Sequence, residues 1–311
     1  MDFLQYAYQA NKTIGAKTLL GSAIRALGKG WKVLIVDDEN AQWKQLAHFL
    51  QNSTLLQIAS SHNWRKIIYQ EKYDLVLSTQ PIDHNDINAH TMVIDQQPEF
   101  AKYDLISQFH FSQNKPKGVI AITGTGKGKT TTALGYAVEK MIHGYRVALV
   151  QWFKEKAQGD LTWAINEHQF PKLLQQPDQF VFYPTGLGFF GSPNMDRVAG
   201  EEAYQQHRAK AYEGLELARK LISSGEYSCI VLDELIDTVK EIAQNIEYPL
   251  IDLSDVQKFL EWVIEQPIQV IVTGRRVSID WEKYAKTTIV IDEIKHPWST
   301  AKKGAVSGLD Y

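Results

Sequence analysis

The stretch Thr123-Gly-Thr-Gly-Lys-Gly-Lys-Thr-Thr-Thr132 constrains the fold more than any other part of the chain. It separates an apolar, β-rich run, Gly118-Val-Ile-Ala-Ile122, from a segment, Ala133–Ile142, whose apolar residues recur with helical spacing. A chain that leaves a buried strand through a glycine-rich turn and enters a helix converges backbone N–H groups, and the positive end of the helix dipole, on one spot. Such a spot binds phosphate. The candidate cradle is Gly124, Thr125, Gly126, Lys127, Gly128, Lys129, Thr130 and Thr131; Lys129 can reach the β/γ-phosphates of a nucleotide and the Thr130 hydroxyl can ligate Mg²⁺. The general pattern needs glycine at the position of Thr123, so the spacing here is one residue short. The alternative is a glycine-rich turn without a ligand, and a second motif downstream weighs against it.

That motif is Cys229-Ile-Val-Leu-Asp-Glu234, an apolar strand ending in two carboxylates. In nucleotide-binding α/β proteins such a strand is expected beside the loop strand with its acidic end toward the metal, which makes Asp233 and Glu234 candidate Mg²⁺ ligands. A further strand, Gln269–Thr273, runs into Arg275 and Arg276, which read equally as phosphate or substrate contacts and as surface charge. The segment Tyr183–Asn194 sets Phe189 and Phe190 among turn-forming residues, either as a loop closing over a flat ligand or as a loop anchored in the core. Glu201–Ser223 has the spacing of an amphipathic helix and needs no functional reading.

At 311 residues the chain is long for one compact domain. A net charge of -3 gives no global basic field, so nucleic acid is not the expected partner. The single cysteine, Cys229, excludes an intrachain disulfide and reads as a buried strand residue. No apolar stretch has membrane-span length and the N-terminus lacks a secretory pattern, so the cytoplasm is the expected compartment.

Residues 18–36 echo residues 132–150. Without a gap, seven of nineteen positions are identical: Thr18, Leu20, Gly21, Ala23, Gly30, Val33 and Val36 against Thr132, Leu134, Gly135, Ala137, Gly144, Val147 and Val150. Tyr73–Asp83 likewise resembles Tyr227–Asp237. The chemistry is not shared: Lys129 and Thr130 fall opposite Gly15 and Ala16, the loop glycines opposite Ala10, Lys12 and Ile14, and Asp233-Glu234 opposite Thr79-Gln80. A two-residue slip would bring Lys17 onto Lys129 but restore no glycine. The expected organisation is therefore an internal duplication. A degenerate phosphate-loop-like domain over 1–110 and a linker over 111–117 precede an active domain over 118–311. The fold class is α/β, with two tandem, three-layer, RecA-like domains built on mostly parallel sheets.

With these motifs assembled, residues from about 115 to 311 resemble the ATP:corrinoid adenosyltransferases that act on cob(I)yrinic acid a,c-diamide and cob(I)alamin. The resemblance rests on the shortened loop, on Gln151-Trp-Phe-Lys154, Leu232-Asp-Glu-Leu235 and Thr273-Gly-Arg275, and on the tail motifs Lys295-His-Pro-Trp298 and Gly308-Leu-Asp-Tyr311. It implies attack of a corrinoid Co(I) on C5′ of ATP with release of triphosphate, Lys129, Thr130 and Glu234 stabilising the leaving group with Mg²⁺, and Arg275 at the nucleotide. It implies a corrinoid pocket at Phe189 and Phe190, although Gly188-Phe-Phe-Gly191 stands where the family has Gly-Phe-Thr-Trp. It also implies a flavoprotein reductase as electron donor and a homodimer, which the N-terminal half could replace as an intrachain pseudo-dimer. Taken without the resemblance, the loop also allows an ATPase, a phosphotransferase or a non-catalytic nucleotide sensor.

Overall fold

The computed structural model describes residues 5–10, 12–38, 41–51, 53–79, 82, 87, 89–96, 117–154, 166–187, 201–239, 242–243, 246–247, 249–275 and 279–292. The N-terminal half runs β1 (Gln5–Ala10), α1 (Lys12–Gly28), β2 (Val33–Val36), α2 (Ala41–Phe49), β3 (Leu56–Ala59), α3 (Trp64–Gln70), β4 (Leu75–Ser78) and β5 (His90–Gln96). The C-terminal half begins with β6 (Gly118–Thr123), α4 (Lys129–Ile142) and β7 (Val147–Gln151), then a 3-10 helix over Asn166–Leu173 and β8 (Phe180–Pro184). It continues through α5 (Glu201–Ser223), β9 (Cys229–Asp233), the short pair β10 (Ile242–Ala243) and β11 (Ile246–Glu247), α6 (Leu253–Val263), β12 (Gln269–Thr273), α7 (Trp281–Tyr284) and β13 (Ala285–Val290). Of the expected linker only Lys117 lies among the described residues.

Two parallel sheets result, one ordered β1-β5-β4-β2-β3 and the other β13-β6-β12-β9-β7-β8. The strands β2, β4, β6, β7, β9 and β12 read as largely apolar runs because both faces are covered, whereas the edge strand β13 alternates buried or part-buried residues with exposed ones. In β2, Val33 and Ile35 enter a central core while Leu34 and Val36 pack toward α3; in β7, Val147 and Leu149 enter the same central core while Ala148 and Val150 pack toward α5 and α6. The central core is therefore common to both halves, with α1 and α4 back to back between the sheets.

Five strands of the second sheet, β6-β12-β9-β7-β8, repeat the order of the first, and the registers agree. Val33 pairs with Leu75 and Leu56, as Val147 pairs with Cys229 and Phe180. The helix ends match too: Gly30 and Gly144 terminate α1 and α4 at φ 82° and 85°.

The helices touch through this same correspondence. A Cβ on Gly21 would lie 1.7 Å from the Thr131 carbonyl oxygen, and one on Gly135 would lie 1.8 Å from the Lys17 carbonyl oxygen. Between these crossings the hydroxyls of Thr18 and Thr132 are 2.9 Å apart. A second seam joins the end of α2 to the 3-10 helix: Gln51 N donates to Leu173 O (2.7 Å) and Gln175 N to Phe49 O (2.9 Å). These contacts recur with their partners exchanged, the pattern of a twofold axis.

Candidate nucleotide site

The loop between β6 and α4 is held from the side by the chain leaving β13. Ile291 N donates to Thr123 O (2.7 Å), Gly126 N donates to Ile291 O (2.9 Å), and Thr125 donates from both its backbone N and its hydroxyl to Asp292 Oδ1 (3.3 Å each). Gly124 has φ 115°, and a Cβ there would sit 2.2 Å from the Ile291 carbonyl oxygen, so only glycine fits. Lys127 follows in the turn, partly exposed, and Gly128 at φ 109° feeds the chain into α4. Lys129 folds back to donate from Nζ to Gly126 O (2.8 Å). Its burial lowers its pKa, against the opposing charge of Asp237.

The acidic motif comes to the loop, though not by the expected route. β12 lies between β6 and β9, so the acidic strand is not the loop strand's neighbour. The intervening strand supplies the link: Thr273, at the end of β12, donates to Asp233 Oδ1 (2.6 Å) and accepts from Glu234 N (2.8 Å). The same Asp233 oxygen accepts from Thr130 Oγ1 (2.9 Å), joining the first turn of α4 to the end of β9. The other, Oδ2, accepts from Gln151 Nε2 (3.1 Å), whose Oε1 is bonded to His168 Nε2. The site thus gathers the C-terminal ends of β6, β12, β9 and β7, where open parallel sheets place their ligands.

Glu234 turns through φ 62° and Phe153, just past β7, through 64°, left-handed conformations that non-glycine residues hold only under constraint. Burial, reinforced by the carboxylates of Asp233 and Asp237, pushes the Glu234 pKa up to about 7 although Lys154 opposes it. The Lys154 ammonium stands 3.5 Å from Glu234 Oε2. Burial disfavours the charge of Lys154, but Glu234, Asp233 and Glu167 outweigh it and raise its pKa. Arg275 donates from its backbone N to Asp237 Oδ1 (3.1 Å), and its charge acts on Lys129. Arg276, Phe189, Phe190 and the tail motifs lie outside the described residues.

The donor set is hard: the Thr130 hydroxyl with the carboxylates of Asp233 and Glu234, and no cluster of three His, Cys, Asp or Glu among the described residues. That fits Mg²⁺, which takes one or two protein carboxylates and completes its shell with phosphate and water. Cys229 is buried in β9 with its pKa pushed up to about 12, away from this chemistry.

Sequence reasoning assigned no role to Thr273, Asp237, His168 or Asp292. Thr273 lies within the quoted Thr273-Gly-Arg275 and Asp237 closes the quoted Tyr227–Asp237, and a polar residue closing an apolar strand, as Thr273 does, is a readable signal. His168 and Asp292 carry none, since only the folded chain brings them near the loop. Thr131 belongs to the expected cradle, and its hydroxyl accepts from Arg25 of α1 (2.7 Å).

The model of a family described as ATP:corrinoid adenosyltransferase BtuR/CobO/CobP matches residues 116–311. A corrinoid adenosyltransferase of a Sinorhizobium species is 30% identical over 196 residues, 63% of this chain and 81% of that protein. One of Escherichia coli K12 is 29% identical over 198 residues, 62% of this chain and 85% of its own length. An uncharacterized protein of a Nostoc species is 29% identical over 167 residues, 51% of this chain and 38% of that protein. With the loop, the acidic strand end and the intervening threonine assembled on its matched part, the chain belongs, as an enzyme, to the ATP:corrinoid adenosyltransferase family.

Proposed function

We propose that the chain transfers the 5′-deoxyadenosyl group of ATP to the Co(I) centre of a reduced corrinoid and releases triphosphate. The Co(I) lone pair forms the bond to C5′, the C5′–O bond breaks, and its electron pair leaves on the triphosphate, so the metal ends formally as Co(III). Negative charge grows at the phosphate end. Loop amides and Lys129 stabilise it there, and Thr130, Asp233 and Glu234 hold the Mg²⁺ that supplies further electrostatic stabilisation. Arg275 lies at the nucleotide, while Phe189 and Phe190 cover the corrinoid. The observation that carries this reading is the Thr130–Asp233 hydrogen bond, which ties the loop helix to the acidic strand end. Anaerobic incubation with ATP, Mg²⁺ and chemically reduced corrinoid is the test. Adenosylated corrinoid with triphosphate supports the reading; ADP, or an unchanged spectrum, refutes it.

We further infer that the N-terminal half is a degenerate copy of the phosphate-loop domain serving as a built-in partner. The matching strand order, the matching registers and the exchanged contacts across α1 and α4 support this. So does the junction between β1 and α1, where the helix is already under way at Lys12, opposite Gly126.

A further inference from the structure

We propose that Arg25, from the N-terminal half, is a positioning residue that holds the nucleotide site of the other half in shape. Arg25 lies on α1 and is 6% exposed. Its Nη1 donates to Thr131 Oγ1 at 2.7 Å and its Nη2 meets Glu167 Oε1 at 3.4 Å. Each contact leads to a different wall of the site. Thr131 follows Thr130, whose hydroxyl bonds Asp233. Glu167 precedes His168, which reaches the other oxygen of Asp233 through Gln151. One planar guanidinium therefore braces the first turn of α4 and the 3-10 helix at once, a geometry that a single ammonium does not reproduce.

The twofold relation shows why this residue belongs to the first half. Arg25 corresponds to Glu139 and Thr131 to Lys17, and the matching contact is the ion pair between Lys17 and Glu139. A second copy of the C-terminal half seated in place of the first would set Glu139 against Thr131 and Glu167. Two carboxylates would then be buried together without their cation, because Glu167 is only 1% exposed. The N-terminal half thus supplies two cations, Lys17 and Arg25, that the second half lacks at these positions. Glu167 also feels the charge of Lys154, the ion partner of Glu234. Removing Arg25 leaves Glu167 to draw Lys154 away from Glu234, so a loss on α1 is transmitted to the candidate metal ligands.

This inference rests on the reading of the loop as an ATP site, and the test separates the two. Calorimetric titration of the full chain with ATP and Mg²⁺ in the absence of corrinoid is compared for the parent, Arg25→Met, Arg25→Lys, Arg25→Met with Glu167→Gln, and Lys129→Ala, alongside melting temperatures. Arg25→Met is expected to weaken ATP binding about tenfold, the scale of a lost charged hydrogen bond. Adding Glu167→Gln should recover most of that loss by removing the unpaired carboxylate, with Arg25→Lys intermediate. Parent-like ATP affinity in a folded Arg25→Met chain overturns the proposal, as does a lowered melting temperature with no recovery on adding Glu167→Gln. If Arg25→Met does not fold, Arg25→Lys decides: weakened affinity supports the proposal and parent-like affinity overturns it. Parent-like affinity in Lys129→Ala instead refutes the reading of the loop.

Discussion

The two strand–helix junctions, β1 into α1 and β6 into α4, start from matching positions in matching sheets and end differently. After β6 five residues intervene before the helix, and they bend through Gly124 at φ 115° and Gly128 at 109°. After β1 only Asn11 intervenes, and residues opposite Gly126 and Gly128 are already helical. A helix that starts this early has one residue where the second half has a five-residue, glycine-bent loop to wrap a phosphate, and it carries Gly15 and Ala16 where the second half has Lys129 and Thr130. The difference teaches that the loop and its glycines, rather than the sheet, set the half proposed to bind a nucleotide apart from the other. What the first half retains is its apolar helix face, and that face is spent on α4.

The comparison breaks most visibly if the halves are separated. Removing residues 1–114 would take Leu19, Leu20, Ile24 and Leu27 of α1 out of the common core and uncover the α4 surface at Thr131, Thr132 and Gly135. At about 1.5–3 kcal/mol for each larger side chain, the truncated chain is expected to unfold or aggregate in light scattering. A truncated chain that dimerises natively with full activity would refute the built-in-partner reading. Next in size, Lys129→Ala should lower adenosyl transfer about 10²–10³-fold in the anaerobic assay, by loss of leaving-group stabilisation. Gly135→Ala and Gly21→Ala should each lower stability by about 3 kcal/mol or more in chemical denaturation, because each new methyl meets a backbone oxygen under 2 Å away. Equal effects from the two substitutions would sharpen the twofold relation.

A smaller effect concerns pH. Glu234 titrates near 4.5 in an unfolded chain and near 7 when folded, so between those values the native protein holds a proton that the unfolded chain has released. Stability of the ligand-free protein should therefore fall as pH rises through that window and level off above it. Glu234→Gln should flatten the slope in denaturation curves measured across the window. Smallest of all, Thr79→Ala, opposite Asp233 in the first half, should leave ATP affinity unchanged.

Much of this was readable from residues. The strand before the loop, the helix after it, the buried cysteine and the helix over Glu201–Ser223 follow from local periodicity and turn chemistry, and the gapless echo of residues 18–36 anticipated the register of β2 and β7. The strand Gln269–Thr273 was read, but its place between β6 and β9 was not foreseen, because strand order depends on crossover connections that leave no local pattern. Arg25 was equally hidden. Its role comes from an approach of α1 to α4 that two glycines permit, and nothing in its immediate sequence marks an arginine that will be buried against the other half.

The most direct test of the account is the stoichiometry of ATP binding to the full chain in the presence of Mg²⁺. One nucleotide per chain, lost in Lys129→Ala, is the result expected if the second half alone holds the nucleotide and the first half braces it. Two nucleotides per chain, or one that persists without Lys129, would contradict it.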